Sequence, residues 1–233
     1  MNSTPKSLRN FVMENVTVET NTRLIPILTR SPLKQHVYVL DLQAILERFA
    51  FDNICKLAFN VDPGCLGGDG TSGAEFMRAF EDAASLISER LMYFIPVMAK
   101  INKFLNIGPE RRLRNAIRMV HDFADDVIRS RAEQKVEKEA DLLSRFMANE
   151  ENSPEFLRDI VISFILAGRD TTSSAFSWIF WFLSSRPEVE RNILQELEKI
   201  RVQNGKNIGD SYSFDELREM HYLHAAITEA MRL

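Results

Sequence analysis

Apolar residues recur at every third or fourth position along most of the chain, which is the period of an amphipathic helix. Residues that cap helix starts, such as Asp41, Ser72 and Ser153, stand where these runs begin. The pattern therefore predicts a mainly all-α fold, whose helices cover 6–27, 42–59, 72–92, 109–128, 142–147, 154–185, 188–201, a short turn from 213, and 221 onward.

Three segments interrupt this pattern. The glycine-rich stretch 62–70 follows no strand and lacks a phosphate-binding spacing, so it is predicted to be a flexible surface loop. The charged span 129–141 is predicted to be a frayed helix end and a linker. The apolar run 91–99, broken by Pro96, is predicted to pack over a core, with insertion into a membrane surface as the alternative.

The segment after Ser153 is the longest predicted helix. Pro154 suits a first helical turn, and no further proline occurs until Pro187, so one rod of about 32 residues at 1.5 Å each is possible. The segment is apolar on most sides, which predicts a central helix surrounded by others. A membrane span is disfavoured because Arg169 and Asp170 at its middle each cost roughly 2.5–3.5 kcal/mol in a bilayer.

Small side chains form a stripe at the centre of this helix. Residues that share one face of this helix follow each other at intervals of three or four positions. The small ones form the stripe, and larger apolar residues stand before and after it; the whole set is Ile160, Phe164, Ala167, Gly168, Thr171, Ala175 and Trp178. Such a stripe allows either a tight helix crossing or the close approach of a flat or bulky group. The buried charges Arg169 and Asp170 would need partners. Periodicity alone leaves the two explanations open.

Composition excludes several classes of protein. Only 9 glycines and 8 prolines among 233 residues are too few turn residues for a many-stranded sandwich or barrel. A net charge of −4 argues against nucleic-acid binding. Cys55 and Cys65 cannot build a disulfide framework or a four-cysteine zinc site. His221 and His224 lack a third ligand nearby in sequence, which disfavours a metal site.

Two motifs carry a family resemblance. The run F-I-L-A-G-R-D-T-T-S-S-A, 164–175, resembles the oxygen-binding motif A-G-x-[DE]-T-T of the cytochrome P-450 superfamily of haem-thiolate monooxygenases. Glu229 and Arg232 match that family's E-x-x-R motif, in family order. Segments 51–63 and 79–90 resemble the plant branch of fatty-acid ω-hydroxylases and jasmonoyl-amino-acid hydroxylases. The resemblance implies the cytochrome P-450 fold, helices D to K, with 154–185 as the long central I helix.

The resemblance also implies chemistry and partners. It implies haem (iron protoporphyrin IX) as the cofactor, and NADPH as the electron source through an NADPH-cytochrome reductase. The implied reaction is hydroxylation of a fatty acid or fatty-acid-like carboxylate at its terminal methyl, with O2. The implied location of the complete protein is the cytosolic face of the endoplasmic reticulum membrane, with its surface against the bilayer.

Roles for single residues follow from the same resemblance. Asp170 and Thr171 are expected to deliver protons during oxygen activation. Ala167 and Gly168 are expected to leave room for dioxygen and substrate, and Ile160 and Phe164 to form walls of the substrate pocket. Glu229 and Arg232 are expected to be a buried, structural ion pair.

The departures from the family pattern predict that 1–233 is a partial cytochrome P-450 domain. The N-terminal membrane anchor and the C-terminal loop with the haem-ligating cysteine have no match, and the last helix is uncapped where the sequence stops. Neither Cys55 nor Cys65 matches that loop, so no iron ligand is expected in this chain. The fragment alone is expected to be inactive. The alternative is a non-catalytic helical remnant or scaffold that binds no haem.

Overall fold

A computed structural model describes residues 5–29, 39–91, 108–133 and 141–232. These residues form helices without a strand, which confirms the all-α prediction. The apolar run 91–99 lies outside them, apart from Leu91. The helices are α1 (Pro5–Glu19), α2 (Ile25–Leu28), α3 (Leu42–Phe59), α4 (Ser72–Leu91), α5 (Pro109–Glu133), α6 (Leu142–Met147), α7 (Pro154–Ser184), α8 (Pro187–Gln203), α9 (Phe214–Arg218) and α10 (His221–Arg232), with a π-helical turn at Thr20–Leu24 and a 3₁₀ turn at Cys65–Gly67.

The chain divides into two compact units. One is the continuous segment Phe51–Gly168, and the other combines Met1–Ala50 with Arg169–Leu233. The division falls inside α3 and inside α7, so each of these two helices contributes residues to both units. We call the first the middle unit and the second the terminal unit.

Aromatic side chains form the centre of the middle unit. The rings of Phe51 and Phe76 stack at 5.1 Å, and Phe123 lies 4.5 Å from Phe76. These rings join α3, α4 and α5, with Val161 and Ile165 of α7 fully buried in the same cluster. Burying a large apolar side chain stabilises a fold by about 1.5–3 kcal/mol, so each large side chain in this cluster contributes to the unit's stability.

The glycine-rich segment is ordered by one buried carboxylate. Asp52 of α3 accepts the backbone N–H groups of Cys65 and Leu66, each at 2.8 Å. Both of these residues are buried, so the prediction of a flexible surface loop is wrong for the 3₁₀ turn. Sequence periodicity missed it because the partner lies 13 positions earlier in the chain. The N-terminus of α4 is capped by Thr71, whose hydroxyl accepts from Ala74, and not by Ser72 as predicted.

A buried ion pair joins α5 to α6. Arg131 donates through Nε to the Asp141 carboxylate, and the two side chains are only 3% and 1% exposed. Asp141 also caps α6 by accepting the Ser144 backbone N–H at 2.9 Å. The prediction that 129–141 is a frayed helix end and a linker is therefore wrong for Arg131 and Asp141, which are buried and paired. Charge density usually signals a solvated segment, but here the two opposite charges neutralise each other inside the protein.

Two carboxylates organise the terminal unit. Glu196 of α8 accepts the backbone N–H groups of Tyr222 and Leu223 at 2.8 and 2.9 Å, which caps the start of α10. Glu216 completes a capping box with Ser213 at the start of α9, and it also pairs with Lys206. The Lys206 ammonium and the N–H of Ser213 lower the pKa of Glu216 to about 2.

We expect Asp141→Ala to lower the free energy of unfolding by about 3–5 kcal/mol, because it leaves the Arg131 guanidinium buried without this carboxylate. Asp126→Ala is the matched control on α5, since it breaks the exposed pair with Arg129 and should cost less than about 1 kcal/mol. Urea unfolding of both variants measures the difference. Equal losses in the two variants would contradict a buried pair.

The lowered pKa of Glu216 predicts a pH-dependent contribution to stability. A carboxyl group with a lowered pKa stabilises the fold above its ordinary pKa, near 4.5, and loses that contribution as the pH falls toward 2. The wild type should therefore be more stable than Glu216→Gln at pH 6, and the gap should close between about pH 4.5 and 2. Thermal midpoints across this range test it. In a Lys206→Gln background the gap at pH 6 should be smaller; an unchanged gap at that pH would refute the pairing.

Candidate functional site

Helix α7 carries the residues for which the sequence predicts chemistry. It begins where predicted, because the Ser153 hydroxyl accepts the Phe156 backbone N–H at 3.2 Å and Pro154 occupies the first turn. It then continues for 31 residues to Ser184. The structure thus confirms one long helix in the position of the predicted central rod.

One side of α7 is buried and the other is exposed. The fully buried positions are spaced by four residues: Val161, Ile165, Arg169 and Ser173. Large residues on other sides reach solvent, with Trp178 57% and Trp181 61% exposed. The expectation of a helix surrounded on all sides is therefore wrong within the described residues, because the described elements cover only one stripe. None of the helices that the structure describes combines the length and the apolar character needed to span a membrane.

Gly168 marks a tight crossing of α7 with α3. A Cβ atom at this position would lie 2.6 Å from Cγ1 and 2.8 Å from Cδ1 of Ile54. These distances are far below van der Waals contact, so any larger residue would force Ile54 to move. Of the two explanations left open by the sequence, the structure supports the helix crossing for Gly168. Its predicted role in leaving room for dioxygen stays a prediction.

The predicted pocket residues occupy different surroundings. Ile160 and Phe164 are half-buried, and Phe164 packs against the aromatic core of the middle unit. Ala167 is exposed. Their predicted roles as pocket walls and as space for dioxygen remain predictions, since the contacts seen here are those of a packed helix and an open helix surface.

The acid and the alcohol of the motif lie at the surface of α7. Thr171 is exposed, and the Asp170 side chain is 45% exposed. Asp170 Oδ1 lies 3.2 Å from Nη1 of Arg169, whose side chain is only 5% exposed. A hydroxyl both donates and accepts hydrogen bonds, and here it follows a solvent-accessible carboxylate by one residue. This turn of α7 therefore carries two groups that can take part in proton transfer.

Arg169 is neutralised by a residue that the motif does not contain. Its Nη2 donates to Oε2 of Glu47 on α3 at 3.2 Å, and Glu47 Oε1 in turn accepts from Gln43 at 3.1 Å. The sequence predicted that Arg169 needs partners, but it could not select Glu47, which lies 122 residues earlier. The i, i+4 spacing of Gln43 and Glu47 on α3 indicates a hydrogen bond between those two side chains, but it gives no information about Arg169.

Apolar cavities open on the C-terminal half of α7. A cavity of about 700 Å³ is lined by Leu42, Gln43, Ser174, Ser177, Trp178, Phe180, Trp181 and Ser184. A second of about 310 Å³ lies between α7, α8 and α10, with Phe182, Ile193 and Ala226 among its walls. Both cavities lie beyond Thr171 along the helix, within the terminal unit.

Glu229 and Arg232 pair with each other on α10 as expected, with Arg232 Nε donating to Glu229 Oε2 at 2.9 Å. This hydrogen bond lowers the pKa of Glu229 and raises that of Arg232. However, the two side chains are 58% and 69% exposed, so the expectation of a buried pair is wrong for the described residues. The reason is that the described elements leave more than half of each of these side chains open to solvent.

The two cysteines do not fit as ligands of a haem iron. Cys55 and Cys65 are both fully buried in the middle unit. Burial raises the pKa of the Cys55 thiol, and Asp52 adds to that effect, which opposes formation of a thiolate. Among the described residues, no group of three or more His, Cys, Asp or Glu could hold a metal ion. His224 instead contacts the Leu217 carbonyl at 3.0 Å through Nε2.

The comparison with family models defines the class of protein. The cytochrome P450 family model matches residues 3–233, and the chain therefore belongs to the cytochrome P450 family. This confirms the resemblance carried by the two motifs. Haem iron is the cofactor of the family, as the resemblance implied.

Individual plant relatives narrow the position within the family. The chain is 50% identical to cytochrome P450 CYP94D108 of Paris polyphylla over 98% of its own length and 46% of the relative's. It is 44% identical to cytochrome P450 94A1 of Vicia sativa, covering 98% of this chain and 43% of the relative. Cytochrome P450 94C1 of Arabidopsis thaliana is 42% identical, over 97% of this chain and 45% of the relative. The chain thus spans less than half the length of these relatives.

We expect Gly168→Ala to destabilise the protein by about 1–2 kcal/mol. Alanine gains about 1 kcal/mol of helix propensity, but overpacking against Ile54 costs typically 1–3 kcal/mol, and 2.6 Å places this site at the high end. The measurement is urea unfolding.

Two further variants isolate the cause. Gly70→Ala is the control, because a Cβ there meets no atom within 4 Å and little change is expected. Ile54→Ala combined with Gly168→Ala should lose less stability than the two single losses added together, since the added methyl occupies the vacated space. Additive losses would contradict the crossing as the cause.

Proposed function

We propose that this chain provides the α7 side of the active site of a haem monooxygenase, which hydroxylates a fatty acid or fatty-acid-like carboxylate at its terminal carbon. The observation that carries this proposal is the exposed Thr171, which follows the half-exposed Asp170 on the turn of α7 where Asp170 contacts the buried Arg169. The match of the cytochrome P450 family model to nearly the whole chain supports the reaction class.

Helix α7 has a surface that a flat cofactor can approach, whereas the two buried cysteines are unsuited to bind the iron of that cofactor. Ala167 and Thr171 are small and exposed one turn apart, so a planar group can approach the helix closely. Haem, when bound, supplies the activation of dioxygen with electrons from NADPH. We propose that its thiolate ligand comes from the region that corresponds to the remaining length of the relatives, since both described cysteines are buried.

The chain's own residues would then handle protons. The half-exposed Asp170 carboxylate can exchange a proton with water, and the Thr171 hydroxyl can accept a hydrogen bond while it donates one. The neighbouring Thr172 points about 100° further round the helix, so it cannot serve the same position. In this proposal Asp170 and Thr171 are candidate catalytic residues, and Glu229 and Arg232 keep a structural role.

The substrate class rests on sequence resemblance. Segments 51–63 and 79–90 resemble the plant fatty-acid ω-hydroxylase branch, and Ile160 and Phe164 would supply apolar walls for an alkyl chain. We further propose an NADPH-cytochrome reductase as the electron-transfer partner and the cytosolic face of the endoplasmic reticulum membrane as the location. The fragment alone is proposed to be inactive, because a haem without its axial thiolate lacks the electronic character of this enzyme class.

A second candidate function is a helical scaffold that binds no haem. The observation that favours it is the burial of both cysteines, which leaves no thiolate ligand among the described residues. The two candidates differ in one spectroscopic property. A haem-thiolate protein shows a characteristic Soret band when it is reduced and exposed to carbon monoxide, and a scaffold shows none.

We expect Thr171→Ala, in the whole protein that carries this sequence, to bind substrate normally but to release less product per NADPH oxidised. Removing a positioned proton donor typically slows the assisted step by 10²–10⁴-fold, and water can replace part of the lost function. Alanine preserves the helix, so the fold survives. The measurement is product formed and peroxide released per NADPH, together with the substrate-induced spectral shift.

Thr172→Ala is the matched control for this experiment. It removes the same side-chain atoms from an adjacent exposed position of the same helix. Its ratio of product to NADPH should stay near that of the wild type. Uncoupling in Thr172→Ala with normal coupling in Thr171→Ala would overturn the assignment of the proton-handling face.

A further inference from the structure

Arg169 is a forked link between two carboxylates in the terminal unit. Nη1 faces Oδ1 of Asp170 and Nη2 faces Oε2 of Glu47, both at 3.2 Å. The guanidinium is rigid and planar, so fixing one nitrogen fixes the direction of the other. The contact with Glu47 therefore limits how the Arg169 fork can turn, and the same fork contacts the Asp170 carboxylate.

The three linked side chains differ in how far they are buried. Arg169 is 5% exposed, Glu47 24% and Asp170 45%. The most exposed member is the candidate proton carrier, and the two more buried members stand behind it. A charge-assisted bond weakens with exposure, so the better-shielded contact with Glu47 is the anchor and the contact with Asp170 is the part that can move.

Glu47 is itself oriented from its own helix. Gln43, one turn earlier on α3, donates to the second carboxylate oxygen of Glu47 at 3.1 Å. Each Glu47 oxygen thus has a different donor, one from α3 and one from α7. A side chain held at both oxygens loses rotational freedom before any substrate arrives, which is the condition for precise placement of a reacting group.

We infer that Glu47 is a positioning residue for Asp170, acting through the Arg169 guanidinium. The chemical consequence of this inference rests on the function proposed above, because Asp170 matters for turnover only if it handles protons. The structural consequence does not: the orientation of Asp170 should depend on Glu47 whether or not haem is bound.

The first test is a stability cycle with Glu47→Gln, Asp170→Asn and the double variant. Each single change leaves Arg169 facing one of the two carboxylates, whereas the double variant removes both from a buried cation. We expect the thermal midpoint of the double variant to fall by more than the sum of the two single losses. Strict additivity would show that the two carboxylates are not linked through Arg169, and would overturn the inference.

The second test is coupling in the whole, haem-loaded protein. Glu47→Ala should reduce product per NADPH by at least about twofold, the lower bound for residues coupled in one network, with the substrate-induced spectral shift unchanged. Glu47→Gln keeps an oxygen acceptor for Nη2 and should fall between Glu47→Ala and the wild type. Glu198→Gln, which disrupts the Arg201 pair on α8, is the control and should leave coupling unchanged.

The outcomes separate the two proposals. Normal coupling in Glu47→Ala and Glu47→Gln, while Asp170→Asn is uncoupled, overturns the positioning role and leaves the proposed function standing. Normal coupling in Asp170→Asn and Thr171→Ala overturns the proposed function. In that case the stability cycle alone decides, with excess loss in the double variant supporting the link and additivity overturning it.

Discussion

The buried guanidinium of Arg169 is the constraint to which the candidate site is fitted. A cation at 5% exposure is stable only with opposite charges against it, and Glu47 and Asp170 both lie 3.2 Å from its nitrogens. One partner comes from α3 and the other is the adjacent residue on α7. The packing of these two helices and the placement of the candidate proton carrier therefore depend on the same three side chains.

Within the middle unit, the contact of α3 with α7 depends on shape and not on charge. Gly168 has no side chain, and Ile54 fills the space in which a Cβ would stand. Glycine costs about 1 kcal/mol in a helix interior relative to alanine. The aromatic core, with Ile165 and Val161 fully buried, offsets that cost.

Local chemistry was predictable from the sequence, and long-range pairing was not. The caps at Asp41 and Ser153 were predicted because a cap needs only a side-chain oxygen and an N–H three residues later. The pairing of Glu47 with Arg169 could not be predicted from the sequence, because any of the 33 acidic residues was a possible partner. Motif resemblance made Asp170 and Thr171 the candidate site residues, but it predicted burial for Glu229 and Arg232 that the described residues do not provide.

The same arrangement explains why the centre of α7 departs from ordinary helix composition. Thr171 and Thr172 are β-branched and exposed, and each costs a few tenths of a kcal/mol relative to alanine without gaining burial. Ser173, on the buried side, satisfies its hydroxyl by donating to the Arg169 carbonyl at 2.8 Å. Packing and hydrogen bonding thus account for Ser173 on the buried side of this turn. Asp170 and Thr171 lie on the other side of the helix, which the described elements leave open and where we propose the proton-handling role.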